Sequence, residues 1–388
     1  MLALILAASA LAVQDSGAFI VRLGNDTLSL EQYHRTATQL RGEYVIRTPR
    51  SLHRIYTADL NPDGSIRRFE LITHNIGGGP GAAETKGSVE FTGDSAIATN
   101  PSGDSIVTTR VAVPKGTLPY TIHIYGLVEQ YGRIARATGR DSVAITSLTG
   151  ATTTTGGYVR KRGGDTLVLN FTQGQLAGVG PFTFRLDRVG RLVWLTGKGS
   201  TVQVDVERVP SIPMAAKTAA FASRPLGQLS VRDTARATVG GAEVWVDYSR
   251  PMKRGREIFG NVVPWNTPWR TGANAATQFS TSADLVIGGA TVPAGKYTLW
   301  TLPTPTGWKL IINRLTGEWG TEYHAEQDLA RVDAKLETLA TPVDQFVIAF
   351  EQPTGNPQIV VDGQPVAATT VMTFTWDKTK VLVPVSKK

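Results

Sequence analysis

The chain has 388 residues, with 40 Lys and Arg against 32 Asp and Glu, and 41% hydrophobic residues; this describes a globular protein of about two domains and excludes a disordered or fibrous one. With no cysteine, disulfide staples, thiolate nucleophiles and Cys-ligated metals are excluded. The net charge of +8 is scattered, with local clusters only at Arg160-Lys161-Arg162 and Arg250 to Arg256, and no DNA- or RNA-binding signature accompanies it.

Residues 1–16 open with an apolar run, Leu2 to Val13, in which Ala8-Ser9-Ala10 or Ala10-Leu11-Ala12 suits a signal peptidase. As a helix, about 12 residues reach about 18 Å, short of the roughly 30 Å hydrocarbon core. A secretion signal or a shallow membrane anchor is expected, with Leu2, Leu4, Ile5, Leu6 and Leu11 as the anchoring side chains. The implied location is periplasmic and membrane-associated, with a membrane protein complex or the membrane surface as partner.

Residues 17–209 read as strands introduced by a repeated turn phrase. Gly24-Asn25-Asp26 precedes LSL, Gly93-Asp94-Ser95 precedes AIAT, and Gly103-Asp104-Ser105 precedes IVTT. Gly139-Arg140-Asp141-Ser142 precedes VAIT, and Gly163-Gly164-Asp165 precedes LVLN. Gly supplies the positive φ and Asp turns its carboxylate back on the following amides. The pattern predicts an antiparallel meander curling into a barrel-like domain. One helical candidate, Ser29 to Leu40, fits a strand equally well.

Residues 210–224 hold Pro210 and Pro213 and an alanine-rich piece, and read as a linker. Residues 225–388 carry about eight short strand patterns, with hairpin turns at Gly288-Gly289 and Val361-Asp362-Gly363, and predict a β-sandwich of jelly-roll type. The stretch Tyr323 to Leu339 keeps both helical and alternating spacing. The fold class is therefore all-β, a barrel-like meander followed by a sandwich.

Catalytic patterns are sparse. There is no G-x-S-x-G elbow for a nucleophile. His34, His53, His74, His123 and His324 show no short metal-binding spacing, although neighbouring strands could bring the first three together. Gly77-Gly78-Gly79-Pro80-Gly81 lacks the strand and helix that a phosphate loop needs. Glu318, Glu322, Glu326 and Asp328 surround Trp319 and His324, the kind of carboxylate–aromatic grouping that glycoside hydrolysis uses. No metal or cofactor is expected. Trp245, Tyr248, Trp265, Trp269, Tyr297, Trp300, Trp308, Trp319 and Trp376 suit core packing, a sugar-binding face or a docking surface.

One block stands apart: D-Y-S-R-P (Asp247 to Pro251), R-x-I-F-G (Arg256 to Gly260), V-P-W (Val263 to Trp265) and W-R-T-G-A-N (Trp269 to Asn274). V-P-A-G-K-Y-T-L (Val292 to Leu299), Trp319-Gly320 and W-D-K-T-K-V-x-V-P (Trp376 to Pro384) follow it in order. Together they resemble a secreted bacterial family catalogued only as a domain of unknown function. The resemblance implies an extracytoplasmic β-rich domain and assigns no catalytic residue. By architecture alone, the whole chain is also similar to accessory subunits on the periplasmic face of photosynthetic reaction-centre and antenna complexes.

The leading expectation is a non-catalytic periplasmic protein docking on a membrane complex. Soluble carbohydrate or lipid binding and a glycoside hydrolase-like activity are the alternatives. Within the block, Pro251 turns the chain out of the sheet and Arg250, Lys253, Arg254 and Arg256 are expected on an exposed loop. Trp265, Trp269 and Arg270 join them as candidate partner-binding residues, with Arg270 expected to pair with Asp247 or stack on a tryptophan.

Overall fold

A computed structural model describes residues 15–388, apart from 79–83, 103–104, 178, 199, 201, 354–357 and 362–363. It is nearly all β and divides into two compact units after Gly227. The apolar run Leu2 to Val13, with the expected anchor residues Leu2, Leu4, Ile5, Leu6 and Leu11, lies outside the described residues, as does much of the 77–81 glycine stretch.

The first unit begins with β1 (Asp15–Leu23), β2 (Asp26–Arg35), β3 (Gln39–Ile46) and β4 (Leu52–Leu60). It continues through β5 (Ile66–Asn75), β6 (Glu84–Thr92), β7 (Ser95–Ser102) and β8 (Ser105–Ala112). A two-residue β9 (Leu118–Pro119) and helix α1 (Tyr125–Ala137) interrupt the run. It resumes with β10 (Ser142–Thr149), β11 (Thr153–Gly163), β12 (Thr166–Phe171), β13 (Phe182–Leu186), β14 (Leu192–Thr196) and β15 (Asp205–Val209). These form one sheet in which consecutive strands are neighbours, closed through β1 against β15 and open between β8 and β9. Every pairing is antiparallel except β9 with β10. Three of the turn phrases close hairpins, at Gly24, Gly93 and Gly163-Gly164, all at positive φ. The Gly139 phrase instead leads out of α1 into β10.

Ser29 to Leu40 takes the strand form in β2 and the start of β3, because both faces of the strand are covered. Glu31, Tyr33 and Arg35 point to α1, while Leu30 packs with Ala18, Val45, Ile212 and Met214. Ile212 and Met214 belong to the supposed linker, which is no bare tether. Met214–Ala222 forms helix α2, whose Phe221 packs against the same outer cluster and accepts a hydrogen bond from Ser51.

The helix that sequence patterning passed over, α1, determines the shape of the first sheet. One helix touches Tyr56 on β4, Phe184 and Leu186 on β13, and Arg208 on β15. The sheet must therefore curve around it. Gly126 and Gly132 permit the approach: an added Cβ would stand 2.7 Å from the Tyr56 hydroxyl and 2.8 Å from the Phe184 ring, respectively. α1 has no side-chain cap of its own and no acid in its first turn. Its N-terminus is satisfied in trans by Glu31, which accepts from the amides of Tyr125 at 2.6 Å and Gly126 at 3.0 Å, and from the Tyr56 hydroxyl at 2.7 Å. One turn on, fully buried Glu129 meets Arg35 at 3.4 Å, Arg133 at 3.2 Å and Arg208 at 3.4 Å. It also accepts from Tyr33 and from the Leu192 amide, so its acceptor sites are filled.

The second unit holds β16 (Ser230–Val239), β17 (Ala242–Pro251), β18 (Thr277–Thr281), β19 (Leu285–Ile287) and β20 (Ala290–Val292). β21 (Gly295–Pro303), β22 (Trp308–Asn313), β23 (Asp328–Glu351) and β26 (Thr370–Lys387) complete its sheet, and β24 (Gln358–Val361) pairs only with β25 (Gln364–Ala367). The expected sandwich is one nine-stranded sheet, β16-β17-β18-β21-β22-β23-β26-β19-β20, folded over on itself. Tyr248 on β17 crosses the core to bond the main chain of Ile348 on β23. Tyr323 to Leu339 resolves into a short 3-10 turn at Ala325–Gln327 followed by the start of β23, because β22 pairs with it along one edge.

Glu129→Ala would leave the buried Arg35 without its acidic partner, and the first unit is expected to lose about 3–5 kcal/mol in urea denaturation. Burial raises the Glu31 carboxyl from 4.5 to about 7, opposed by the bonds from Tyr56, Tyr125 and Gly126. The native state therefore favours the protonated acid, and that contribution is complete below pH 4.5 and lost as pH rises through about 7. Wild-type stability should fall across that interval by up to about 3 kcal/mol relative to Glu31→Gln, measured as parallel denaturation curves at each pH.

Candidate functional site

The chain leaves β17 at Pro251 as expected, but the cations that follow are held by the fold. Arg250 donates to the Phe346 carbonyl at 3.1 Å and pairs with Asp233 at 3.0 Å. The Lys253 ammonium contacts Asp377, and its amide bonds the Asp344 carbonyl at 2.6 Å. Arg254, at φ 52°, makes the turn with Gly255, and its guanidinium approaches the Met252 sulfur. Arg256 bonds the carbonyls of Lys253 and Met252. Apart from Gly255, residues 252–256 are half-buried, so the exposed basic loop is corrected to a self-bonded turn against β23.

The tryptophans divide in the same way. Trp269 is buried, with its indole bonded to the Gly272 carbonyl at 3.1 Å. It stacks on Trp376 with centroids 5.9 Å apart and meets Phe346 at 5.1 Å. Main-chain bonds in both directions with Thr301 fix it to the sheet. Trp265 is half-buried against Phe259, and Gly260 turns beneath it at φ 93° with room for no Cβ: one would stand 2.5 Å from the indole nitrogen. Trp269 is part of the aromatic core, and Trp265 leans on its edge through Phe259.

Arg270 is different. Trp269 points into the core, so the next side chain points to the other face of the sheet, between the segments 274–276 and 318–320. These segments are joined by bonds from the Ala276 amide to the Glu318 carbonyl at 3.1 Å and from the Gly320 amide to the Asn274 carbonyl at 3.0 Å. The Arg270 stem lies so close on Gly320 that an added Cβ there would fall 1.8 Å from its Cδ. Asp247, the expected partner, is bound in two-pronged fashion by Arg232 at 2.6 Å on both oxygens. Among the described residues no acceptor bonds the Arg270 guanidinium, and its Nε is buried without a partner. Desolvation alone lowers its pKa to about 10. In the same segment, Trp319, which directly precedes Gly320, is 44% exposed, and the buried Glu318 Oε2 also lacks a partner.

The carboxylates near Trp319 have separate duties. Asp328 accepts from Asn313, Tyr323 and Arg331, Glu322 accepts from the Trp319 amide, and Glu326 faces His324. Of the histidines, His53 and His74 do meet, stacked at 5.7 Å across β4 and β5 and flanked by Glu43 and Glu84. His34 sits opposite Arg41 and Ser16, away from them. His123 is buried at φ 71° beside Tyr125, and desolvation lowers its pKa to about 4. Among the described residues no group of three or more His, Cys, Asp or Glu is arranged to hold a metal ion, and no helix is long and apolar enough to cross a membrane.

Residues 230–385 match the family model described as "Protein of unknown function (DUF2911)". No curated protein matches the chain. Among solved structures, the chain is similar to the β-barrel-like protein of domain of unknown function DUF1849 from Brucella abortus, at 11% identity. That match covers 51% of this chain and 95% of the other, with a TM-score of 0.34. It is also similar to a DUF1089 family protein from Pseudomonas aeruginosa, at 11% identity, covering 44% and 90% of the two chains with a TM-score of 0.32.

Trp269→Ala opens a cavity among Phe259, Phe346 and Trp376, and is expected to cost about 3–5 kcal/mol in guanidinium denaturation. A surface docking residue would change stability by no more than about 0.5 kcal/mol.

Proposed function

We propose that this chain is a non-catalytic binding protein of the extracytoplasmic space, which docks on a membrane protein complex by accepting a partner strand along β8. The compartment rests on the apolar run Leu2 to Val13. The docking mode rests on one observation: among the described residues, of the four edges of the two large sheets, β8 alone is long and nearly free of guarding features.

Exposed edge strands offer unpaired amides and carbonyls to any passing chain, and proteins blunt them with short length, proline or charge. β9 is two residues long and ends in Pro119, and β20 is three residues long. β16 carries Arg232, Asp233 and Arg236. β8 runs eight residues with Arg110 as its sole charge, and it presents Ile106 at 76% and Val107 at 47% exposure side by side. Adjacent strand residues face opposite sides, so an added strand finds an apolar contact on each face. Main-chain bonds supply the affinity in such strand addition, and alternate side chains the specificity.

A photo-cross-linking residue at Thr108, in the native host, should capture one dominant partner from the membrane fraction. Ile106→Lys with Val107→Lys should abolish the adduct while leaving the melting temperature within about 2 °C, because both side chains are exposed. Absence of any adduct, or an adduct indifferent to the two lysines, would sink strand addition. An adduct with a second copy of the chain would replace the membrane complex as partner.

A further inference from the structure

We propose that Arg270 in the second unit is the anchor of a binding site for a small carboxylate-bearing ligand, with the exposed face of Trp319 supporting the ligand's body. This goes beyond docking through the first unit and shares no residue with it.

A buried cation is tolerated when an anion or a set of carbonyls replaces its water, and otherwise it destabilises the fold. Arg270 is half-buried with its Nε sealed, and nothing among the described residues does so for that nitrogen. Its Nε is sealed between the 274–276 and 318–320 segments without an acceptor, whereas its two Nη atoms are neither bonded nor fully enclosed. The guanidinium thus has its stem fixed and its fork open. That is the preorganised geometry in which arginine takes a carboxylate through two parallel bonds. Gly320 is part of the design: with any larger residue there, the Arg270 stem could not lie where it does.

Two neighbours narrow the ligand class. Among the described residues Trp319, at 44% exposure, is the one exposed large aromatic, and it directly precedes Gly320. An exposed indole beside a charged anchor suits a ring or a sugar face. Glu318, two residues before Gly320, has one carboxylate oxygen buried without a partner and forms no ion pair with Arg270 among the described residues. A second negative charge in the neighbourhood penalises a dianion, so a monocarboxylate is favoured over phosphate.

The full chain titrated with benzoate, glucuronate and inorganic phosphate in a thermal-shift series tests this. The two ring carboxylates should raise the melting temperature of the second unit by about 2–4 °C for each tenfold excess over Kd, with phosphate giving less. Arg270→Met should abolish the response while keeping the apolar stem on Gly320. Trp319→Ala should keep the fold and weaken the carboxylate response about tenfold. A shift equal in wild type and Arg270→Met would overturn the proposal. So would no shift with any probe. A larger shift with phosphate than with either carboxylate would overturn the ligand class.

Discussion

The first unit depends on what surrounds Glu129. A curved sheet open between β8 and β9 has an interior that must be filled, and α1 fills it. Helix and sheet could slide past one another if the contact were apolar alone, since hydrophobic burial is non-directional. Glu129 removes that freedom by receiving Arg35 from β2, Arg208 from β15, Arg133 from its own helix and the Leu192 amide from β14. Strands from both halves of the meander thus converge on one carboxylate. Glu31 does the same for the helix N-terminus, so the register of α1 is fixed at two points one turn apart. Ion pairs of this kind add little net stability over apolar packing, and their contribution here is positional.

The second unit is organised by aromatic contact instead. Trp269, Trp376, Phe346, Phe259 and Trp308 form one group of stacked and edge-on rings beneath the turn 252–260. The turn is a lid on that group, and its cations bond the carbonyls left open where β17 leaves the sheet. Guanidinium groups suit this because one side chain can satisfy several carbonyls at once. A run of arginines in sequence therefore carries two meanings, surface charge or carbonyl capping. Only the three-dimensional neighbourhood separates them.

The meander was legible because Gly-Asp turns report local geometry, and the β1–β2, β6–β7 and β11–β12 hairpins fall on them. α1 was hidden for a physical reason. Its buried positions Leu127, Val128, Tyr131 and Ala135 have helical spacing, but Gly126 and Gly132 lower its helix propensity, and buried Glu129 and Gln130 break the apolar stripe. The features that obscure the helix are those that let it sit inside the sheet. α2 was masked by the prolines before it, which read equally as a tether or a helix start. Among the described residues Arg270 makes neither of its expected contacts, Asp247 or a tryptophan face, and nothing in a linear sequence shows that Arg232 has already taken both oxygens of Asp247.

The contrast between Glu129 and Arg270 carries the functional argument furthest. Glu129 is fully buried and Arg270 half-buried with its Nε sealed from water. Glu129 is met by three cations, a hydroxyl and an amide, which leaves no acceptor site open. Arg270 is met by none, although Arg250 and Arg256 in the same block find two acceptors each. The chain evidently has the means to satisfy its arginines locally. A site that withholds them from one guanidinium, fixes its stem on a glycine and leaves its outer nitrogens reachable is arranged for an acceptor from outside the chain. The lowered proton affinity of Arg270 and the energy available to such an acceptor have one cause, the water that the guanidinium has lost.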